Sequence, residues 1–163
     1  MAGIKTAMAV LFLALGMSGT AAAQVQHCKI TSVHDGDSMR VRCPGQKKTI
    51  AVRLDRIDAP EVTQAHGIAS RDYLRTLCPV GQAVAIDVAG LDRYRRTLAQ
   101  VSCNGVNANA AMVKSGNAWV YEHYTDDASL RRDQAKAKAE RLGLWENRKA
   151  MPPWDFRKAQ KSR

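Results

Sequence analysis

The sequence predicts an α+β domain in which a five-stranded Greek-key barrel carries about three helices. Five short segments either alternate apolar and polar residues or are rich in β-branched residues, and turn residues separate them. Between and after these segments, three stretches have the apolar spacing of amphipathic helices. At 163 residues, the chain is long enough for one domain with its own hydrophobic core.

The predicted elements follow one another along the chain with short connections. The five strands are residues 28–33, 37–43, 49–56, 83–88 and 97–103. The three helices are residues 66–77, 109–115 and about 125–142. The Asp35-Gly36 pair between the first two strands is a strong hairpin signal. In the third strand, Arg53 lies on the face opposite to the apolar residues, where a solvated side chain is the ordinary interpretation.

Residues 1–23 have the pattern of a cleaved signal peptide. They carry Lys5 near the start, an apolar run over residues 7–17 and an A-x-A-like site at residues 21–23. That run is too short to span a bilayer, which takes roughly 20 apolar residues. The mature chain then comprises a domain over residues 24–150 and a basic tail over residues 151–163. We therefore expect an exported, periplasmic or secreted protein that is monomeric and has no membrane span.

The chain is strongly basic. It carries 25 basic and 15 acidic side chains, a formal net charge of +10, and Lys5 is the one charged residue of the predicted signal peptide. A basic exported domain is suited to nucleic acid, an anionic membrane surface or an acidic polysaccharide. Charge that only aids solubility is the alternative. The charge thus indicates a class of partner and leaves the activity open.

The four cysteines indicate disulfide bonds. They are Cys28, Cys43, Cys78 and Cys103, and an even count in an exported protein favours pairing. Of the three possible pairings, a hairpin over residues 28–43 brings Cys28 and Cys43 together at its open end. Cys78 then pairs with Cys103. A zinc site is the alternative, and the absence of any C-x-x-C spacing disfavours it.

The stretch from His34 to Glu61 holds charged residues of the types that cleave a phosphodiester bond. Such cleavage requires charge neutralisation at the phosphate and an activated water molecule. Carboxylates hold hard cations, arginines bind phosphate oxygens in pairs, and a further carboxylate serves as general base. Within this stretch the residues concerned are Asp35, Asp37, Arg53, Asp58 and Glu61. An arginine of the later turn at 93–96 completes the set. An ordinary Asp-Gly-Asp turn is the alternative for Asp35 and Asp37 alone.

Over about residues 28–145 the chain resembles the thermonuclease (staphylococcal nuclease-like) family. The matching motifs, in the family's order, are HDGDSMRV, AVRLDRIDAPE, DRYRRTLAQV, NAAMVKSGNAWVY and ERLGLW. The resemblance implies an OB-fold barrel and a calcium-dependent nuclease that hydrolyses DNA and RNA to 3′-phosphate ends. A catalytically inactive OB-fold module that binds nucleic acid or another polyanion is the main alternative. A weaker one is a cell-surface interaction domain that uses the tail around Trp154.

The resemblance also implies a calcium site. Asp37 and Asp58 look like the calcium-ligating carboxylates, and the backbone carbonyl of Ala59 like a further ligand. Asp35 resembles a carboxylate that supports these ligands without binding the metal. Ala59 replaces a threonine that is common in the family, so a backbone ligand is retained while a hydroxyl contact is lost.

Catalytic and nucleotide-binding roles follow from the same resemblance. Arg53 and Arg96 look like the two catalytic arginines, and Glu61 like the proposed general base. Arg93 and Tyr94 align with residues that contact the terminal phosphate of the nucleotide.

Besides Ala59, the chain departs from the family pattern at Arg95, in a shorter loop after Glu61 and in its base-stacking tyrosine, and the two disulfide bonds look like an addition to that pattern. Arg95 stands where glycine is usual in the turn before Arg96. The tyrosine that stacks on the base has two candidates, Tyr121 and Tyr124. The basic residues of the tail are expected to form a frayed, solvated end; they are Arg157, Lys158, Lys161 and Arg163.

Overall fold

Five strands close into a barrel in the computed structural model, which describes residues 25–162. The predicted signal peptide lies outside these residues. The barrel strands are β1 Val25–Val33, β2 Ser38–Arg42, β3 Ile50–Leu54, β5 Ala83–Leu91 and β6 Thr97–Cys103. They pair in the order β3-β2-β1-β5-β6, and β6 returns to β3 to complete the circle. This last pair is parallel and the others are antiparallel, so the predicted five-stranded OB-fold barrel is confirmed.

Shorter elements and four helices surround the barrel. Strands β4 Ile57–Asp58 and β8 Trp119–Val120 pair with each other, and β7 Val106–Asn107 extends the sheet beside β6. The helices are α1 Gly67–Leu77, α2 Ala108–Lys114, α3 Ala128–Ala139 and α4 Pro153–Lys161. Within residues 25–162, no helix has the length and apolar character needed to cross a membrane.

Helix α4 lies where the sequence analysis places a frayed tail. It begins at Pro153, and proline is favoured in a first helical turn because the N–H that it lacks would have no partner there. Most of the residues that follow in this helix are good helix formers. Residues 153–161 therefore form an ordered helix, and the described residues 25–162 hold four α-helices where about three were predicted.

The barrel interior is filled by alternate residues of every strand. Fully buried examples are Ile30, Met39, Val52, Leu54, Ile86 and Val101. Helix α2 closes one end of the barrel, and its fully buried Asn109 ties it to the strands. The Asn109 side chain accepts a hydrogen bond from the Val101 N–H (2.9 Å) and donates to the carbonyls of Asp55 (2.9 Å) and Ala99 (3.1 Å). A buried amide with these partners offsets its loss of hydration.

Both predicted disulfide bonds are present, and together they pair all four cysteines. Cys28–Cys43 joins β1 to the residue that follows β2, across 15 positions of the sequence. Cys78–Cys103 joins the end of α1 to the end of β6 across 25 positions. The second bond therefore fixes the first helix to the barrel.

Candidate active site

The turn between β1 and β2 contains Asp35, Gly36 and Asp37. The Asp35 carboxylate accepts hydrogen bonds from the Asp37 N–H (3.0 Å) and the Ser38 hydroxyl (2.8 Å), so it shapes the turn from within. Burial, reinforced by the charge of Asp37, raises the pKa of Asp35 to about 7. Gly36 packs so closely that a Cβ atom would overlap the Ser70 hydroxyl of α1. The glycine is therefore required by close packing.

Arg53 lies at the centre of the candidate site. Its side chain is only 11% exposed, so the interpretation as an ordinary solvated strand residue is wrong. One end of the guanidinium, Nη1, donates to the Ile57 carbonyl (2.8 Å) and lies 3.4 Å from Asp37 Oδ2. The other end, Nη2, donates to Asp58 Oδ1 (2.8 Å). Burial lowers the pKa of Arg53, but the carboxylates of Asp37 and Asp58 outweigh it and raise the pKa.

Asp58 and Ala59 are held against Asp37 by the short strand β4. The Ala59 N–H donates to Asp37 Oδ2 (2.9 Å), so the backbone after β4 is bonded to the β1–β2 turn. Asp58 is 1% exposed, and burial is the main reason that its pKa rises to about 6. Arg53 thus bridges the two carboxylates that the sequence analysis assigns to calcium.

Glu61 lies in the turn between β4 and α1. Its N–H donates to the Gln64 side-chain oxygen (3.2 Å), and its carbonyl accepts from the Gln64 N–H (2.8 Å). Helix α1 begins directly against this turn, since a Cβ on Gly67 would overlap the Glu61 carbonyl. Close packing of the helix on the turn fixes the backbone of Glu61.

The sequence analysis missed Arg157, which enters the same cluster from α4. Its Nη1 donates to Glu61 Oε1 (2.8 Å) and to Asp58 Oδ1 (3.2 Å), and its Nη2 donates to Asp58 Oδ2 (2.7 Å). The expectation of a solvated end is wrong for this residue because α4 folds back onto the site. These bonds and the two carboxylate charges outweigh the effect of burial and raise the pKa of Arg157. The i, i+3 spacing of Trp154 and Arg157 was the signal in the sequence that both side chains share one helix face.

The turn between β5 and β6 holds Arg96 through a residue that the sequence analysis did not single out. Asp92 Oδ1 accepts from the N–H groups of Tyr94 (2.9 Å) and Arg96 (2.8 Å), and Asp92 Oδ2 accepts from Arg96 Nε (2.7 Å). These hydrogen bonds outweigh burial and lower the pKa of Asp92. Arg95 adopts a left-handed conformation (φ 63°), which explains why glycine suits this position. The Arg93 guanidinium lies 4.9 Å from the centre of the Tyr94 ring, which is exposed.

Arg96 is near β3 but apart from the carboxylates around Arg53. The parallel β3–β6 pair aligns Val52 with Thr97 and Arg53 with Leu98, so Arg96 comes just before the paired residues. Across the described residues 25–162, no ion pair joins Arg96 to Asp37 or to the other carboxylates of the Arg53 cluster. A shallow cleft of about 210 Å³ lies beside Arg96. Its polar lining residues are His34, Ser38, Arg40 and Arg96.

The two tyrosines considered for base stacking lie after β8. The Tyr121 ring stacks on the Trp154 ring of α4, with 5.4 Å between ring centres and an interplanar angle of 27°. Tyr124 belongs to the short 3₁₀ helix Glu122–Tyr124, and its side chain is outside the described part of the structure. Tyr121 therefore shares an aromatic surface with α4.

The cluster contains the kinds of donor atom found in a calcium site, but these are not arranged as in such a site. Calcium prefers carboxylate and carbonyl oxygens, and Asp37 and Asp58 supply such oxygens on either side of Arg53. Four carboxylates, those of Asp35, Asp37, Asp58 and Glu61, outnumber the two guanidiniums of Arg53 and Arg157. In residues 25–162, no three acidic, histidine or cysteine side chains are gathered as metal ligands. The donor types fit calcium, and guanidinium groups occupy several of the oxygens.

Comparison with known proteins agrees with this architecture. Residues 51–147 match the family model described as staphylococcal nuclease homologue. An uncharacterized endonuclease of Escherichia coli is 39% identical over 132 residues, which cover 80% of this chain and 84% of that protein. A second uncharacterized endonuclease, from Haemophilus influenzae, is 34% identical over 157 residues, or 96% of this chain and 87% of that protein. A micrococcal nuclease of Shigella flexneri is 37% identical over 145 residues, 82% of each chain.

Proposed function

The chain belongs to the staphylococcal nuclease-like family, and on that premise we propose that it is a calcium-dependent nuclease. It hydrolyses phosphodiester bonds of DNA and RNA and leaves 3′-phosphate ends. The observation that carries the proposal is the buried guanidinium of Arg53, which bonds to Asp58 and approaches Asp37. A guanidinium held in place among carboxylates suits a phosphate group that lies beside a cation, because the guanidinium binds the phosphate and the carboxylates bind the cation.

In this proposal, Arg53 and Arg96 bind the scissile phosphate. An arginine remains charged at any working pH and presents donors in a planar fork that matches phosphate oxygens. Arg53 is held on β3, and Arg96 is held at the start of β6 by Asp92. Each guanidinium keeps its orientation through these bonds, so little reorganisation is needed when negative charge develops on the phosphate oxygens.

Glu61 accepts the proton from the attacking water. The water oxygen forms a bond to phosphorus as the bond from phosphorus to the 5′ oxygen breaks, which leaves the phosphate on the 3′ side. The proton that Glu61 receives returns to solvent, and the departing 5′ oxygen takes up a proton. A general base of this kind contributes about 10²- to 10⁴-fold to the rate.

Asp37, Asp58 and the carbonyl of Ala59 would hold the calcium ion, with Asp35 supporting the turn that carries Asp37. When bound, the ion supplies positive charge to the phosphate and lowers the pKa of bound water. Support for this part is the oxygen-rich donor set and its excess of negative charge.

Arg93 and Tyr94 are proposed to contact the terminal phosphate of the nucleotide, with Tyr121 and Tyr124 as candidates for stacking on its base. The exposed Tyr94 ring beside the Arg93 guanidinium supports the first pair. We further propose that the protein acts as an exported monomer, in the periplasm or outside the cell. Its two disulfide bonds are compatible with an oxidising compartment.

The proposal is tested by incubating the protein with plasmid DNA and with RNA, with calcium or with excess chelator. Cleavage is expected with calcium only, and Glu61→Gln should reduce it about 10²-fold or more. Arg53→Gln and Arg96→Gln should each reduce cleavage by a similar factor. The controls are Arg132→Gln in α3 and Glu140→Gln directly after it, which remove the same charges from exposed positions. Phosphate at the 3′ ends of the products is read by end-labelling before and after phosphatase treatment.

Binding of DNA or RNA without cleavage, whatever metal is added, would contradict the nuclease proposal. It would instead support the alternative of an inactive module that binds polyanions, which the basic charge of the chain also allows.

A further inference from the structure

The C-terminal segment is fastened over the candidate site at several points. The Gln64 side chain donates to the Met151 carbonyl (2.7 Å), and Pro153 is buried at the start of α4. One helical turn after Pro153, Arg157 donates hydrogen bonds to the carboxylates of Asp58 and Glu61. We call the segment from Met151 to Arg157 the latch. It joins the end of the chain to the turn that carries Glu61.

Arg157 binds the same oxygens that a divalent cation would use. Both oxygens of Asp58 accept hydrogen bonds from it, and Asp58 Oδ1 also accepts one from Arg53. One oxygen of Glu61 accepts a further bond, at 2.8 Å. A carboxylate has about four acceptor positions, so Asp58 has little capacity left.

We infer that the latch competes with the divalent cation, so that the cation and the Arg157 guanidinium bind Asp58 in alternation. This inference rests on the proposed calcium site. A guanidinium hydrogen-bonded to Asp58 and a divalent ion bound to the same carboxylate would lie only a few ångströms apart. Their repulsion acts across the buried Asp58 carboxylate, which is 1% exposed, and water at the 38% exposed Arg157 side chain screens part of it. Moving Arg157 away removes this repulsion and frees Asp58 Oδ2, while Oδ1 keeps only its bond from Arg53.

The latch also covers an aromatic surface beside the site. Trp154 stacks on Tyr121 and contacts the edge of Trp119, with ring centres 5.4 Å and 5.8 Å apart. Trp154 and Arg157 lie on one face of α4, so a movement of the helix releases both contacts together. Loading of the cation is thereby coupled to release of the Tyr121 ring, a candidate for base stacking, from Trp154.

The test is calorimetric titration of the full chain with calcium alone. Arg157→Gln is expected to bind calcium at least about tenfold more tightly than the unaltered protein. Lys158→Gln removes the same charge from an exposed neighbouring position of α4, and it should change the affinity less than twofold. Equal or weaker calcium binding by Arg157→Gln would overturn the latch, because it would mean that Arg157 is neutral toward the cation or assists it.

A second measurement needs no variant. Calcium should accelerate hydrogen exchange of the backbone amides of residues 154–161 in the unaltered protein, since the helix loses its contacts. Slower or unchanged exchange would overturn the inference. The cleavage assay distinguishes failure of the latch from failure of the proposed function. If cleavage depends on calcium but Arg157→Gln has the same affinity for calcium as the unaltered protein, the latch alone is rejected. An absence of calcium binding in both proteins would overturn the latch and the proposed calcium site together.

Discussion

Gly36 shows how a single small residue allows two carboxylates to lie against a helix. It stands between Asp35 and Asp37, and its Cα position is so close to α1 that a Cβ would overlap the Ser70 hydroxyl and lie 2.7 Å from the Ala59 Cβ. Ser70 is fully buried and donates to the Asn117 carbonyl at 2.6 Å, so it has little freedom to move. The position of the turn is therefore set by close packing.

We expect Gly36→Ala to destabilise the protein by about 1–3 kcal/mol, the usual cost of an extra methyl group in a tightly packed region. It should also reduce nuclease activity, because the added methyl group forces the β1–β2 turn away from Ala59. Urea denaturation measures the first effect. Gly90→Ala is the control, since a Cβ there meets no atom within 4 Å. Equal stability of the two variants would contradict the packing argument.

Asp35 predicts a dependence of stability on pH. Its folded-state pKa of about 7 lies above the ordinary value near 4, so the folded protein holds this proton more tightly than the unfolded chain. The stabilisation is complete below about pH 4 and is lost as the pH rises through 7. In the presence of chelator, the melting temperature should fall between pH 5 and pH 8, and Asp35→Asn should reduce this fall.

The comparison for this pH effect is Asp126→Asn, at a fully exposed carboxylate. Asp126→Asn should leave the difference in melting temperature between pH 5 and pH 8 as it is in the unaltered protein. If Asp35→Asn and Asp126→Asn gave the same pH profile, burial of Asp35 would not be its source.

At the scale of elements, the β5–β6 turn keeps its shape although Arg95 occupies a left-handed position. Three hydrogen bonds to the Asp92 carboxylate hold the turn together. A residue with a Cβ in this conformation costs roughly 1–2 kcal/mol. The turn therefore places Arg96 at the start of β6 in spite of a local cost at its neighbour.

Replacing Arg95 should release this cost. We expect Arg95→Gly to stabilise the protein by about 0.5–1 kcal/mol, since glycine removes the strain but also increases the freedom of the unfolded chain. Arg95→Ala, which removes the side chain and keeps the Cβ, should give no such gain. Thermal denaturation compares the two variants. A gain with alanine as large as that with glycine would assign the effect to the charge of Arg95 instead.

The elements also show which parts of the fold the sequence predicts well. Alternation and the Asp35-Gly36 turn located the barrel strands, because one buried face imposes a period of two. Helix ends were less accurate: the residue that caps α3 is Asp127, where Thr125 or Asp126 was predicted. Helix α4 was missed although Pro153 and the helix formers after it were local signals, and its contacts with Glu61 and Tyr121 join residues that no local pattern connects.

At the scale of the whole molecule, the site joins residues from distant parts of the chain. Asp37, Arg53, Asp58 and Glu61 come from adjacent strands and turns, and the motifs in the sequence identified them. Arg157 is 96 positions from Glu61, and no local pattern indicates that the two side chains meet. The charged cluster of the site could therefore be predicted in part, whereas its partner on α4 required the three-dimensional structure.

The disulfide between α1 and β6 makes a prediction at this scale. In the chain-entropy model, a crosslink across 25 positions restricts the unfolded chain and thereby raises its free energy by about 3 kcal/mol. The double variant Cys78→Ser, Cys103→Ser should therefore lose about that much stability in urea denaturation. A loss below about 1 kcal/mol would contradict the entropic account of this bond.

Closure of the barrel by the parallel β3–β6 pair has a consequence for how activity arises. Val52 and Thr97 are partners in the sheet although 45 positions separate them, and the two proposed catalytic arginines lie beside these partners. While the chain is unfolded, or only its first strands have formed, Arg53 and Arg96 have no fixed relation to each other. The return of cleavage during refolding therefore reports the pairing of β3 with β6, so substrate degradation can be used to follow this long-range step of folding.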